Sequence, residues 1–256
     1  MGPVVAQGFG MSSGTSEDVG LRAGWRAGWE LVWPVDCAGC GRPGVAICGR
    51  CRAAVAGPAF FTPLVGWPPG WGAWAACGYG GVPARLLNAW KERGRTDLTR
   101  PLGAGLGAAV RACRAASGDR SSEWLLVPVP TTSGARRHRG GDLMADLTRQ
   151  AAGACRSDWA GPPPKPVRAL RHVRRVQDQA ALGAAGRRAN LRGALAVRPA
   201  SVNLVAGRNC LVVDDVVTTG TTAAEAARAL TSVGARVVGA CFLSVTFRRQ
   251  EVLEEG

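Results

Sequence analysis

Apolar positions along the chain follow two rhythms that alternate. From Val82, "VPARLLNAWKERGR" sets Leu86, Leu87 and Trp90 on one helical stripe, and "LGAGLGAAVRAC" repeats the period with Leu102, Leu106, Val110 and Cys113. These are two helices joined by a basic turn. "WLLVPVP" at 124–130 is a continuous apolar run ended by prolines, which predicts a short buried strand. "DLMADLTRQAAGAC" returns to helical spacing through Leu143, Leu147, Ala151 and Ala154. After the connector "GPPPKP", "NCLVVDD" predicts a second buried strand, "TAAEAARALTSVG" a helix closed by Gly234, and "RVVGACFLSV" a third strand. Strand and helix alternate, so the pattern predicts an α/β fold with a parallel sheet flanked by helices.

Outside that pattern lie three other kinds of segment. Residues 1–24 are rich in Gly and Ser without apolar period and are expected to form a disordered leader with no function, the start falling near Met1 or Met11. The uncharged interval 53–84 is too interrupted by Pro58, Pro63, Pro68, Pro69 and Pro83 to make a helix that crosses a membrane, so loops and short strands are expected there. "CAGCGRPGVAICGRC" holds Cys37, Cys40, Cys48 and Cys51 as two Cys-x-x-Cys knuckles seven residues apart. Each knuckle turns tightly enough to aim two thiolates at one tetrahedral centre, so a structural Zn²⁺ is expected, with no coordination position left for substrate. Cys77, Cys113, Cys155, Cys210 and Cys241 sit singly among apolar residues and are expected in the core. Nine cysteines without a secretory signal fit a reducing cytoplasm better than a disulfide framework.

The formal net charge of +14 is almost wholly arginine, since Lys91 and Lys165 are the only lysines. Guanidinium forks suit phosphates, which makes nucleotides, polyphosphates or nucleic acid plausible partners, although a genome that writes Arg for Lys on solvated faces gives the same total. More specific is "LVVDDVVTTGTT" at 211–222. Leu211 to Val213 are expected to finish a strand, and Thr218, Thr219, Gly220, Thr221 and Thr222 to form a loop that opens a helix near Ala223. Threonine hydroxyls and backbone amides at a helix start suit a phosphate monoester. Asp214 and Asp215 would repel that phosphate and so should face hydroxyl donors, such as the vicinal diol of a ribose. No lysine stands where a Walker A loop needs one, which disfavours a nucleoside triphosphatase.

The run "CLVVDDVVTTGTT" resembles the phosphoribosyl pyrophosphate signature of type I phosphoribosyltransferases. With the four-cysteine segment, "LLNAWKERG", "VPVPTTSGARRHRGGD" and "QAALGAAGRRAN", residues 33–247 resemble the ComF family, which is linked to bacterial DNA uptake. The chain departs from that family at Gly141, Asp142 and Leu143, where an aromatic and an Asn-Gln pair are more typical. The resemblance implies a type I phosphoribosyltransferase fold over 74–250 and a small four-cysteine zinc module over 33–60. Asp214 and Asp215 would hold the ribose hydroxyls, with Mg²⁺ shared between ribose and pyrophosphate oxygens, and Thr218–Thr222 the 5-phosphate. Pro128, Val129, Pro130 and Thr131 would approach pyrophosphate. Arg136, Arg137 and Arg139 would neutralise it, a role that a solvated basic face matches equally. Arg171, Arg174, Gln179, Arg187 and Asn190 lie in a stretch of little aliphatic bulk that would form a lid, and His138 and His172 read as surface histidines. The implied activity is transfer or recognition of a 5-phosphoribosyl group. The alternative is a non-catalytic DNA-uptake or recombination factor that binds single-stranded DNA and a helicase partner.

Overall fold

The computed structural model describes residues 35–64, 67–68, 71–139, 141–174 and 192–247. In chain order the elements are α1 (Gly49–Ala53), β1 (Phe60–Phe61), β2 (Gly72–Gly78), α2 (Gly81–Glu92), α3 (Thr99–Ser117), β3 (Trp124–Pro128), α4 (Ser133–Arg139), α5 (Leu143–Cys155), β4 (Lys165–Pro166), β5 (Leu170–His172), β6 (Leu195–Val197), α6 (Val202–Val205), β7 (Asn209–Val217), α7 (Thr221–Thr231) and β8 (Arg236–Val245). Six strands form one sheet in the order β1-β2-β8-β7-β3-β4. Every neighbouring pair is parallel except β1 with β2. β5 and β6 form a separate antiparallel ribbon. The expected α/β architecture, a mostly parallel sheet flanked by helices with an N-terminal four-cysteine cluster, is what the chain adopts.

The middle strands are apolar throughout because both of their faces are covered. On β7, Leu211 and Val213 join the layer of α2, α3 and α5, whereas Cys210 and Val212 pack with α7 and the β5–β6 ribbon. The helical stripes read from the sequence supply those layers: Leu86, Leu87, Trp90, Leu102, Leu106, Val110 and Leu147 are buried on one side, Ala226, Ala227 and Leu230 on the other. The five single cysteines are all buried. The uncharged interval yields β1, β2 and the first turn of α2, and among the described residues no helix is long and apolar enough to cross a membrane.

This topology fixes where a ligand can bind. From β3 the chain passes through α5 on one face to β4, and from β7 it passes through α7 on the other face to β8. The connections leave adjacent strands in opposite directions, so a crevice opens above the carboxyl ends of β3 and β7. The amide of Val129 donates to the carbonyl of Val213 at 2.9 Å, which holds the Pro128–Thr131 turn directly beside Asp214.

One strand end differs from expectation. β7 does not finish at Val213 but runs to Val217, pairing Asp214 with Phe242, Val216 with Ser244 and Val217 with Val245 on β8. The β-branched pair after the carboxylates satisfies the ladder and keeps the backbone extended. Both aspartates therefore stand on a hydrogen-bonded strand, and α7 begins at Thr221, two residues before the expected Ala223.

Helix α3 contains a residue with no room for a side chain. A Cβ at Gly105 would overlap the carbonyl oxygen of Val55 and lie 2.9 Å from Leu243 Cδ1. Glycine costs about 1 kcal/mol relative to alanine inside a helix, a cost offset here by close approach to the backbone behind the cysteine knuckle. Gly105→Ala should therefore destabilise the fold by about 1–3 kcal/mol, the range for overpacking, although the same change on an exposed helix face would stabilise. A chemical denaturation midpoint that stays level or rises would contradict this packing.

Candidate functional site

The site begins where β7 runs out of apolar residues. Asp214 and Asp215 are half-buried at the carboxyl edge of the sheet, and the amide of Asp215 donates to Asp214 Oδ1 at 2.9 Å. Burial, and then the neighbouring carboxylate of Asp215, push the Asp214 pKa up to about 8, although the Asp215 amide and the Lys91 ammonium act in the opposite direction. Two adjacent carboxylates cannot both ionise cheaply in such a place. The Lys91 ammonium, on the last turn of α2, sits 2.7 Å from Asp215 Oδ2.

Past Val217 the chain turns through Thr218 and Thr219 into α7. Gly220 caps that helix at φ +75°, a conformation that L side chains rarely adopt, and a Cβ there would lie 3.3 Å from Leu64 Cδ1. The hydroxyls of Thr219 and Thr221 lie 2.8 Å apart. The first helical bond runs from the Ala224 amide to the Gly220 carbonyl, and among the described residues the Thr222 and Ala223 amides have no protein acceptor. Free amides, converging hydroxyls and the positive end of the helix dipole make an anion cradle.

One turn further, Glu225 anchors α7 to the ribbon. Its carboxylate accepts from Arg228 at 2.7 and 2.8 Å and from the Leu195 amide at 3.1 Å, while Arg228 also donates to the Leu195 carbonyl at 3.0 Å. Burial opposes ionisation of Glu225, but the bonds from Arg228 and from the Leu195 and Gly193 amides outweigh it, and the pKa falls. The β5–β6 ribbon is thus fixed to the same helix that presents the threonines.

On the other side of the Pro128–Thr131 turn lies a cavity of about 270 Å³ lined by that turn, Arg136, Asp142, Arg168, Leu170, Arg171, His172 and Arg198. Asp142 caps α5 through the Ala145 amide at 3.2 Å and pairs with Arg168 at 2.7 Å. The side chains of Arg136, Arg171 and Arg198 have no hydrogen-bond or ion-pair partner among the described residues, leaving the cavity net positive. His172 is not a plain surface histidine: its Nε2 donates to the Pro130 carbonyl at 2.9 Å, and its Nδ1 is buried without a partner among the described residues.

The structure therefore gathers Asp214, Asp215, Thr218–Thr222 and Pro128–Thr131 around one crevice, with Arg136 and Arg171 in the adjoining cavity. Arg137 is exposed on α4. Arg174 donates to the Arg192 carbonyl at 2.7 Å, closing the base of the ribbon. The side chains of His138 and Arg139, and Gln179, Arg187 and Asn190 of the expected lid, lie outside the described residues. Sequence reading missed Lys91, Arg168 and Arg198 as site residues. The signal for Lys91 was its rarity, one of two lysines among 32 cationic residues.

A second centre stands apart from this crevice. Cys37, Cys40, Cys48 and Cys51 bring their Sγ atoms within 4.8 Å of one another, with Cys40 and Cys48 3.7 Å apart. Four thiolates on a metal with bonds of about 2.3 Å are spaced by about 3.8 Å, so the cluster could hold a tetrahedral ion. Burial raises the Cys37 pKa, but the Cys48, Cys40 and Gly39 amides more than reverse that and bring it to about 6, while burial and the neighbouring thiols raise that of Cys51. The knuckle is tied down by cations of the main domain: Arg85 donates to the Gly39 carbonyl, and Arg95 to the Asp36 and Ala46 carbonyls at 3.3 and 3.1 Å.

Comparison with known proteins bears on the crevice. The family model for the phosphoribosyl transferase domain matches residues 168–254, about a third of the chain, and includes the whole β7-to-α7 unit. No curated protein matches the chain. Among solved structures it is similar to the allosteric regulatory enzyme of purine biosynthesis, with 18% identity and a TM-score of 0.34 over 59% of this chain. It covers 26% of that enzyme's chain.

Metal analysis of the purified protein should return about one zinc per chain, and the double change Cys37→Ser, Cys40→Ser should abolish it. Metal-free protein with an unchanged melting curve would exclude a structural ion at this cluster.

Proposed function

We propose that the protein is a phosphoribosyltransferase of the ComF type that binds phosphoribosyl pyrophosphate with Mg²⁺ across the crevice between β3 and β7. The observation that carries this reading is the junction of a carboxylate pair and a hydroxyl-lined helix start at the sheet's switch point, within the stretch that matches the phosphoribosyl transferase domain. A ligand that fits must present hydroxyl donors to the first and a phosphate to the second. A 5-phosphoribosyl group does both.

In this reading Thr218, Thr219, Thr221 and Thr222 bond the 5-phosphate with the free α7 amides, and Gly220 lets the backbone wrap the anion. Asp214 and Asp215 accept from the 2- and 3-hydroxyls. Pro128–Thr131 lies beside the diphosphate, and Arg136 and Arg171 balance its charge from the cavity. Among the described residues the four cysteines are the only cluster of three or more metal-binding groups, so Mg²⁺ would be held by substrate oxygens and water rather than by a protein cage. The ion would neutralise part of the diphosphate charge. Transfer forms a bond from the acceptor's nucleophilic atom to the anomeric carbon and breaks the bond from that carbon to the diphosphate oxygen, which departs with the electron pair. Positive charge develops on the ribose ring, and the carboxylates beneath the diol, Asp214 among them once it has lost its proton, stabilise it at short range.

Asp215→Asn should leave the fold intact and weaken phosphoribosyl pyrophosphate binding by about 1–3 kcal/mol, measured by calorimetry in excess Mg²⁺. Wild-type affinity in that variant would remove the diol assignment.

The raised pKa of Asp214 gives a pH prediction. Its folded value of about 8 exceeds the ordinary 3.8, so the folded chain binds the proton more tightly than the unfolded one. Asp214 thus costs stability progressively as pH rises from about 4 to about 8. Asp214→Asn should raise the melting temperature at pH 8 and leave it nearly unchanged at pH 4. Ligand affinity of the wild type should instead climb with pH until it levels off near 8, because the ionised acid accepts the diol. A flat profile between pH 6 and 9 would contradict the assignment.

A further inference from the structure

Among the described residues, Lys91 is the one side chain from another element that pairs with either carboxylate, and its partner is Asp215. Its Nζ stands 2.7 Å from Asp215 Oδ2, with the two side chains 24% and 13% exposed. Its position is built from below. Leu86, Leu87 and Trp90 bury the inner stripe of α2, Trp90 Nε1 donates to Thr99 Oγ1 at 3.0 Å, and Arg85 on the same helix holds the cysteine knuckle. The helix is anchored at several points, and the lysine projects from its last turn with a four-carbon stem that can pivot.

The chain carries 32 cationic residues, of which only Lys91 and Lys165 are lysines. Lys165, its own side chain exposed, pairs with Glu123 at 2.5 Å. At Lys91 the choice has a physical sense. An arginine fork would bind Asp215 with two bonds in a fixed plane, whereas an ammonium is a compact charge that can let go of one oxygen and take another. That charge offsets the carboxylate pair at a site where two negative charges are costly.

We propose that Lys91 is an exchangeable counter-ion of the site: it neutralises Asp215 when the crevice is empty and moves to the diphosphate when the ribose diol takes over Asp215. This rests on the reading of Asp214 and Asp215 as diol acceptors and adds a ligand contact to it. The two diol carbons are the first and second ring carbons after the anomeric carbon. A cation displaced from Asp215 by either hydroxyl is therefore already close to the anomeric substituent. Ligand binding would thus replace the ion pair at Asp215 with one at the diphosphate, while the diol supplies hydrogen bonds to the carboxylate that Lys91 leaves. Lys91 would also neutralise the leaving diphosphate as its charge grows, a role that Arg136 and Arg171 share from the opposite side of the Pro128–Thr131 turn.

Two ligands separate this from a merely structural ion pair. Phosphoribosyl pyrophosphate with Mg²⁺ has the diol, the 5-phosphate and the diphosphate, and ribose 5-phosphate lacks only the last. Calorimetric titration of Lys91→Met should show phosphoribosyl pyrophosphate weakened by about tenfold or more, the loss of one charged hydrogen bond. Ribose 5-phosphate should bind as well as to the wild type or a few-fold better, because its competitor for Asp215 is gone. Lys91→Arg, which keeps the charge and guards against misfolding of the methionine variant, should lie between wild type and Lys91→Met for phosphoribosyl pyrophosphate. Equal weakening of both ligands would make Lys91 only a support for Asp215 and overturn the exchange, as would no change in either. A wild type that binds neither ligand would instead overturn the phosphoribosyl reading itself, and the exchange with it.

Discussion

A strand buried on both faces carries two adjacent carboxylates near its carboxyl end, and the cost of their charge governs the crevice. Leu211, Val212 and Val213 leave no solvent around β7, so Asp214 and Asp215 emerge where the dielectric is still low. Burial and the carboxylate beside it raise the proton affinity of Asp214. The fold answers with one ammonium from α2, one amide from the strand itself and a proton on Asp214 over much of the neutral range. None of these is a permanent solution in the way a bidentate arginine would be. The site stores unfavourable electrostatics that a hydroxyl-donating ligand would relieve, a physical basis for affinity that does not depend on contact area.

The hydroxyl-lined start of α7 depends on the same strand from its other side. α7 starts only four residues after Val217, with Gly220 turning the chain at a positive φ, so the helix amides face the region just beyond the carboxylates. A short link leaves little freedom for these two features to separate. Glu225 and Arg228 extend the coupling to β6, so one helix positions the threonines and one strand of the β5–β6 ribbon. The four-cysteine knuckle is attached differently. Arginines of α2 and of the turn after it reach three of its backbone carbonyls, and Val82 packs against the cysteines. Little apolar surface holds so small a module, so a metal inside it would have to supply most of its rigidity.

Legibility in the sequence followed chain distance. The β7-to-α7 unit was readable because its acids, hydroxyls and glycine are contiguous, and the four cysteines because their spacing carries its own geometry. The helical stripes of α2, α3, α5 and α7 were readable because apolar period alone places them. Lys91 and Asp215 are joined only by the packing of α2 across the sheet, and Arg168 and Arg198 reach the cavity from two different loops; no periodicity encodes such meetings. The end of β7 was misplaced because carboxylates usually signal the end of a buried strand, whereas here the ladder with β8 continues through Val216 and Val217. His172 was read as a surface histidine, yet the fold turns it toward Pro130.

Arg114 shows the same limit at the opposite end of the sheet. In a chain with this much arginine the default placement is solvent, yet Arg114 is 7% exposed, its guanidinium 4.9 Å from the Trp124 ring centre and 5.0 Å from that of Trp159. Asp119 lies 3.4 Å away and also accepts from the Ser122 amide, from Trp124 Nε1 at 3.1 Å and from the Ser121 amide, bonds that hold its pKa well below the usual carboxylate range. The aromatic faces and the carboxylate together meet a charge that burial alone would expel, and burial lowers the Arg114 pKa accordingly. This cluster sits where β3 begins and the crevice lies where β3 ends. A strand only five residues long thus has its first residue locked by a buried ion and its last beside the ligand site, which leaves the Pro128–Thr131 turn little room to drift.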